Sequence, residues 1–338
     1  MGLPIFGWSW LRHTQWLLLL WASCAGARAD APVLSLPIDC KLGETCFIQN
    51  YVDVDPSAGV KDYRCGAAAY NGHKGTDFRL LSTRAARAGV SVLAADDGVV
   101  KARRDGVADR LLGKDRSSVK GRECGNGVVI DHGGGWETQY CHMLRGSIQV
   151  RKGQAVKRGD PLGRVGYSGR TQFAHLHLSL RHAGKVIDPF TGQKPGSGTC
   201  GKDAAEDLWQ PALRPQLTYR RGQIIQLGFA DRRVGGKALE AGDPRIRIPT
   251  PFSGAMVFYA RLINLEKGDR IRLRLSGPSG VIAENEIKPL ARAKAQYVAF
   301  TGRKRRGTRW DAGRYEGSVE VLRAGEVALS RRSGLELR

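Results

Sequence analysis

The sequence predicts an all-β chain, mainly antiparallel, built as two successive β-rich domains. Three observations carry this expectation. "HLHLSL", residues 175–180, alternates polar residues with leucine, the period of a strand with one buried face. "GNGVVIDHGGGWETQYCHM" sets two strand-like runs, 128–132 and 136–142, around the turn Gly133-Gly134-Gly135. Farther on, "QIIQLGF", "AMVFYARL", "RIRLRLSG", "AQYVAF" and "YEGSVEVLR" recur at fairly regular spacing between turn signals, the pattern of an immunoglobulin-like β-sandwich. In the first half only "LLSTRAARAG" reads as a helix, and a brief one.

With 338 residues the chain has room for two domains. Its 41% hydrophobic and 25% charged content fits a globular protein and excludes a disordered one. Residues 1–29 read as a secretory signal peptide: Arg12 and His13 precede an apolar run at 16–22, and Ala27-Arg28-Ala29 offers small residues before Asp30. That run is short for a membrane span. Lipidation at Cys24 is a weaker reading, because Trp21 stands where such a signal prefers an aliphatic side chain. Residues 30–65 form a disulfide-pinned N-terminal segment, 66–192 the histidine-bearing β domain, 193–205 a linker, and 206–338 a β-sandwich accessory domain. The linker is read from the Gly, Pro and Ser of "TGQKPGSGTCGKD".

Beyond the signal the chain keeps Cys40, Cys46, Cys65, Cys124, Cys141 and Cys200, an even number in an exported context, so three disulfides are expected. The hairpin would draw Cys124 and Cys141 together, which makes that pairing the favoured one. No CxxC pair exists, which argues against a zinc ribbon or a thioredoxin-like site. The net charge of +22 favours polyanionic partners. For an exported protein, periplasmic or extracellular, these are anionic envelope polymers. Nucleic acid is not expected, and peripheral membrane association is compatible with the charge. "TGRKRRGTRW" is either a solvated loop or a polyanion-binding patch.

On a strand, His175, His177 and Ser179 share one face and Leu176, Leu178 and Leu180 the other. The leucines suit a core. The histidine face is either polar surface or a metal or acid/base site. Every histidine after His13 lies between residues 73 and 182. His73, in "NGHKGTDF", precedes Asp77 by four residues, and Gly72 and Gly75 argue for a loop there. A curled loop lets both converge on one ion, and His175 or His177 would complete three ligands with an open position, the plan of a catalytic zinc site. His132 reads as a structural hairpin residue, His182 as exposed, Asp188-Pro189 as a turn, and Tyr140 as sharing the face of His142 and a candidate to line the groove. Ser168 in "GYSG" is not set in GxSxG and is no nucleophile candidate.

"GHKGTDF", "YCHM" and "HLHLSL", in that order, resemble the lysostaphin/LytM-type zinc peptidases, and so does the turn-rich "VRKGQAVKRGDPLGRVGYSG". The resemblance spans roughly residues 65 to 190. It implies a small antiparallel β domain with Zn2+ in a groove and cleavage of peptide bonds in peptidoglycan crosslinks. Residue by residue it implies His73, Asp77 and His177 as metal ligands, and His142 and His175 as catalytic histidines. Without HExxH, no glutamate serves as the base in the usual zincin way. The other readings are a non-catalytic wall-binding regulator or activator of other hydrolases on the same fold, which the complete ligand set disfavours, and a biotinyl/lipoyl-type carrier, which lacks its lysine-bearing turn.

Overall fold

The computed structural model describes residues 1–3, 30–113, 117–198, 200–201 and 207–338. The signal peptide, with His13 and Cys24, lies almost wholly outside them. Ten strands come first: β1 (Cys46–Asn50), β2 (Thr76–Leu80), β3 (Ser91–Leu93), β4 (Gly98–Arg104), β5 (Asn126–Gly133), β6 (Trp136–Met143), β7 (Ala155–Val156), β8 (Pro161–Arg164), β9 (His175–His182) and β10 (Lys185–Ile187). Eight of them make one sheet in the order β1-β2-β9-β6-β5-β4-β7, with β10 also on β9; β3 and β8 pair separately. Every pairing among these strands is antiparallel. The helix expected in "LLSTRAARAG" is α1 (Thr83–Ala88), started by the Ser82 side chain accepting from the Ala85 N–H.

The period-two pattern of β9 works as expected. Leu176, Leu178 and Leu180 are buried with Phe78, Leu80, Val128, Ile130 and Tyr140 in the core under the sheet. The hairpin β5–β6 forms, and it places Cys124 and Cys141 in a disulfide. The other bridges are Cys40–Cys46 and Cys65–Cys200.

Two expectations for the flanks change. The segment before Cys65 is more than a lead-in: it supplies β1, an edge strand on β2, and buries Leu34, Ile38 and Tyr51 in the main core. The Gly/Pro/Ser-rich run read as a linker is tied down. Its Gly196 N–H donates to Val54 O, its Gly201 N–H to Tyr63 O, and Cys200 is bonded to Cys65. Composition detects turn-prone backbone, but what fixes this run is hydrogen bonds and a disulfide to residues far away in sequence. Just beyond it, buried Trp209 makes a parallel bridge to Leu34.

After α2 (Arg214–Leu217) come β11 (Gln223–Ala230), α3 (Gly236–Ala241), β12 (Ala255–Leu265), β13 (Arg270–Gly277), β14 (Gly280–Ile287), β15 (Lys294–Lys304), β16 (Gly313–Arg323) and β17 (Glu326–Leu337). They form a three-stranded sheet, β11-β12-β15, and a four-stranded sheet, β14-β13-β16-β17. Both sheets feed one core, with Phe258 and Leu262 from the first against Leu273, Tyr315 and Val319 from the second. This is a two-sheet sandwich, as its alternating runs predict. Helix α3 had no clear sequence signal: six residues with a glycine at each end give little periodicity. No helix among the described residues is long and apolar enough to cross a membrane.

Asp188, expected only as a turn residue, is fully buried, and its Oδ2 has no hydrogen-bond partner. Burial, with nearby Asp62 adding to it, pushes its carboxyl up to about 7. A carboxyl raised in the folded state binds more protons there than in the unfolded chain, so stability falls as pH rises from about 4 through 7. Replacing Asp188 by Asn should therefore remove a loss of up to about 1.4 kcal/mol per pH unit over that window. Thermal unfolding of both proteins at pH 5 and pH 8 checks this: the variant's gain over wild type should be clearly larger at pH 8 than at pH 5.

Candidate metal centre

The pairing of β2 with β9 builds the site. Asp77 lies directly opposite His177 in that ladder, and Arg79 opposite His175, so all four side chains leave the same face. His73 reaches them from the loop before β2. Its Nε2 lies 3.1 Å from Asp77 Oδ1 and 3.1 Å from His177 Nδ1, and His177 Nδ1 is 2.8 Å from Asp77 Oδ1. Among the described residues, this is the one group of three such side chains close enough to share an ion.

The hydrogen bonds around this triangle fix which atoms carry protons. His73 Nδ1 sits 2.7 Å from the Tyr51 carbonyl, so Nδ1 is the N–H and Nε2 the lone pair. The Ser179 hydroxyl donates to Lys74 O at 2.6 Å and so accepts from His177 Nε2 at 3.0 Å, which leaves the lone pair of His177 on Nδ1. Asn50 Nδ2 donates to the outer oxygen of Asp77 at 2.7 Å. In the neutral tautomers that these contacts favour, two imidazole lone pairs and a carboxylate oxygen face one another. Burial opposes a charge on His73, yet Asp77 draws it above the ordinary imidazole range, so the metal-free triangle holds a proton where a cation would sit. Zinc bonds of about 2.0–2.2 Å at tetrahedral angles place neighbouring donor atoms a little over 3 Å apart. The donor set and its spacing thus fit a zinc ion, and the bonds from Tyr51, Ser179 and Asn50 orient it from behind.

His142 and His175 stand beside the triangle with ring centroids 4.5 Å apart. His142 Nδ1 donates to Ser168 O at 2.8 Å and His175 Nδ1 to Phe173 O at 2.9 Å, so each directs Nε2 away from its backbone anchor. Burial, reinforced by His175 and His177, holds His142 well below the ordinary imidazole range, and it is neutral at pH 7. Burial opposes ionisation of Asp77, yet His73 and His175 hold its carboxyl well below the usual range.

How His142 reaches the site was not visible in its strand. Alternation puts it on the face of Tyr140, but His142 has φ +63°, a left-handed residue that breaks the pattern. Tyr140 stays in the core, fully buried, with its hydroxyl accepting from Ala95 N at 2.8 Å and Thr138 Oγ1 at 3.1 Å. The expectation that Tyr140 lines the groove is overturned. The groove, about 350 Å³, is lined by Asp77, His142, His175, Tyr70, Arg170 and Gln296, among others. His132 is structural, bonded to Asp97 O and Thr138 Oγ1. His182 is half-buried rather than exposed, because its ring stacks on Trp136 at 4.3 Å. Ser168 is buried and held by Met143 O and Asn126 N, with no nucleophilic role.

Asn50 and Tyr51 escaped the sequence reading because the lead-in segment carries no chemical motif. Ser179 had a signal, sharing the face of His177 at the i+2 position.

Comparison with known proteins agrees with the motifs. Residues 71–189 match the model of Peptidase family M23. The chain is 32% identical over 154 residues to the peptidoglycan DD-endopeptidase ShyA of Vibrio cholerae, covering 45% of this chain and 30% of that protein. It is 31% identical over 155 residues to the DD-carboxypeptidase/endopeptidase Mpg of Neisseria meningitidis, covering 45% and 33%. The chain therefore spans about a third of the length of these relatives. Among solved structures, the catalytic domain of the prophage-encoded M23 protein EnpA of Enterococcus faecalis is similar at 21% identity and a TM-score of 0.30, covering 47% of this chain and 94% of that one. A superposition that poor adds nothing to the fold argument.

Gly75 shows why the first motif needs its second glycine. A Cβ there would meet Leu178 O at 2.4 Å and the His177 ring at 2.8 Å. Gly75→Ala should push the His177 ring out of the triangle and cost about 1–3 kcal/mol, the usual range for overpacking. Zinc content per chain and thermal unfolding measure both effects: metal uptake and melting temperature should fall together.

Proposed function

We propose that the protein is an exported zinc-dependent endopeptidase that hydrolyses peptide bonds in bacterial peptidoglycan crosslinks. One observation carries the reading: two imidazole nitrogens and a carboxylate oxygen within 3.1 Å of one another, inside the segment that matches an M23 peptidase. His73 Nε2, Asp77 Oδ1 and His177 Nδ1 would hold the ion. When bound, zinc at such a site supplies Lewis acidity and makes water acidic enough to react near neutral pH.

The remaining chemistry belongs to the chain. His142 is neutral, and its Nδ1–H is committed to Ser168 O, so Nε2 is the atom that takes a proton from the attacking water. His175, fixed the same way by Phe173 O, presents Nε2 beside the triangle, 3.5 Å from Asp77 Oδ1, where its N–H can stabilise developing negative charge. Tyr70, tilted against the His73 ring at 4.4 Å, lines the groove.

Peptidoglycan as substrate is supported by the named activities of the relatives, and export by three disulfides. We read residues 1–29 as the signal peptide, 66–192 as the peptidase domain and 206–338 as an immunoglobulin-like accessory domain. The run Arg303, Lys304, Arg305, Arg306 and Arg309 contains no acidic residue and suits an anionic envelope polymer.

Metal analysis and mass spectrometry of peptidoglycan digested by the full-length protein test this. Wild type should carry about one zinc per chain and release crosslink fragments. His177→Ala should lose zinc and activity together, and His175→Ala should keep zinc and lose turnover. The reverse pattern would exchange their roles, and a protein that takes up no zinc would end the enzyme reading. Binding to intact wall should weaken as salt rises, since a diffuse basic field is screened over about 8–10 Å.

A further inference from the structure

The sandwich is in contact with the site. Glu240, on α3 of the C-terminal half, is buried where the two halves meet. Its Oε2 accepts from Arg79 Nη2 at 2.5 Å and also from Arg261 on β12. Its Oε1 accepts from the backbone N–H of Ala174, the residue before His175, at 3.2 Å. Arg79 is fully buried, faces His175 across the β2–β9 ladder, and lies 4.6 Å over the Phe173 ring. Phe173 in turn stacks 4.3 Å from the His175 ring and supplies the carbonyl that receives its Nδ1–H. One carboxylate from the second half thus holds the backbone on one side of His175 and the guanidinium packed on its anchor. The groove has a wall from the same source, since Ala295 and Gln296 of β15 line it.

We propose that Glu240 is a positioning residue for His175, and that the C-terminal half is an integral part of the peptidase site rather than a detachable module. A second set of contacts keeps the halves in register. Asn264 Nδ2 donates to Gln49 O at 2.8 Å, Thr83 Oγ1 to Ala241 O at 3.1 Å, and Phe47 packs against Ile225 and Ile263. Glu240 is the contact in this set that bonds directly to the segment between the turn at Thr171 and strand β9. The carboxylate is also the shared anion between two buried guanidiniums, Arg79 and Arg261. Its loss frees Arg79 Nη2 while Gln49 and the Leu80 carbonyl still hold the rest of the group, so the guanidinium tips and Phe173 and His175 move with it.

Only the activity arm of the test rests on the peptidase reading. The proteins are full-length and zinc-loaded. Glu240→Gln removes the charge; Glu240→Asp keeps it but draws it back from Ala174, and so covers the case in which Glu240→Gln fails to fold. Tyr219→Phe is the control, since it breaks a different contact between the halves, the 2.7 Å bond to Asp62, far from β9. Amide hydrogen exchange at Ala174 should quicken by about tenfold or more in the Glu240 variants and not in Tyr219→Phe. Their kcat should drop by roughly 100-fold, the scale of a misplaced catalytic group, with KM and zinc content nearly unchanged. Ala174 protection at the wild-type level in a folded Glu240 variant overturns the proposal. So does a kcat loss that Tyr219→Phe shares. If the wild type cleaves no peptidoglycan, the peptidase reading fails, and the exchange comparison still decides the role of Glu240.

Discussion

The crowding of two imidazoles around one buried carboxylate organises this molecule. The rings of His73 and His177 and an oxygen of Asp77 are brought together by a strand ladder and by hydrogen bonds at the far nitrogen of each ring. A protein tolerates such a cluster when something positive occupies it, because an unpaired buried carboxylate costs far more than a surface one. The supports are therefore as informative as the ligands. Tyr51, Asn50, Lys74 and Ser179 do no chemistry, but each removes a freedom that would let the triangle relax into ordinary hydrogen bonds.

The supports come from places that a motif cannot mark. Asn50 and Tyr51 lie in and just after an edge strand formed by residues before the first motif, and the Ser168 carbonyl that anchors His142 sits at the end of the turn-rich run before β9. The M23 segment is thus the chemical part of a larger fold. Its floor includes Leu34 and Trp209 from outside the matched residues, and one wall of its groove comes from the sandwich.

Much of this was legible in the sequence where side chains alternate. β9 and the β5–β6 hairpin follow directly from period-two patterning, and with the hairpin comes the Cys124–Cys141 bridge. That His73 and Asp77 could meet a histidine of β9 was legible from two short motifs in a β-rich context without a thiolate site, while the choice of His177 over His175 came from the family resemblance. Failures occurred where local backbone departs from the average. Tyr140 was assigned to the wrong face because a single left-handed residue, His142, resets the alternation after it. The 193–205 run looked free because glycine and proline report flexibility of the unfolded chain, not the partners the folded chain finds. Glu240 gave no sign at all: an acid in a six-residue helix reads as surface until the fold buries it between two arginines.

The bridge from Cys65 to Cys200 spans 135 residues and encloses His73, Asp77, His142, His175 and His177 within one covalent ring, and the Leu34–Trp209 pairing closes the same circle outside it. Assembly of the centre therefore belongs to the end of synthesis rather than the beginning. A chain emerging from its N-terminus carries His73 and Asp77 exposed and unmated for a hundred residues before β9 arrives, and the ring is sealed later still. The ring cannot close before Cys200 is made, and the buried carboxylate of Glu240 and the groove wall at Ala295 and Gln296 come later still.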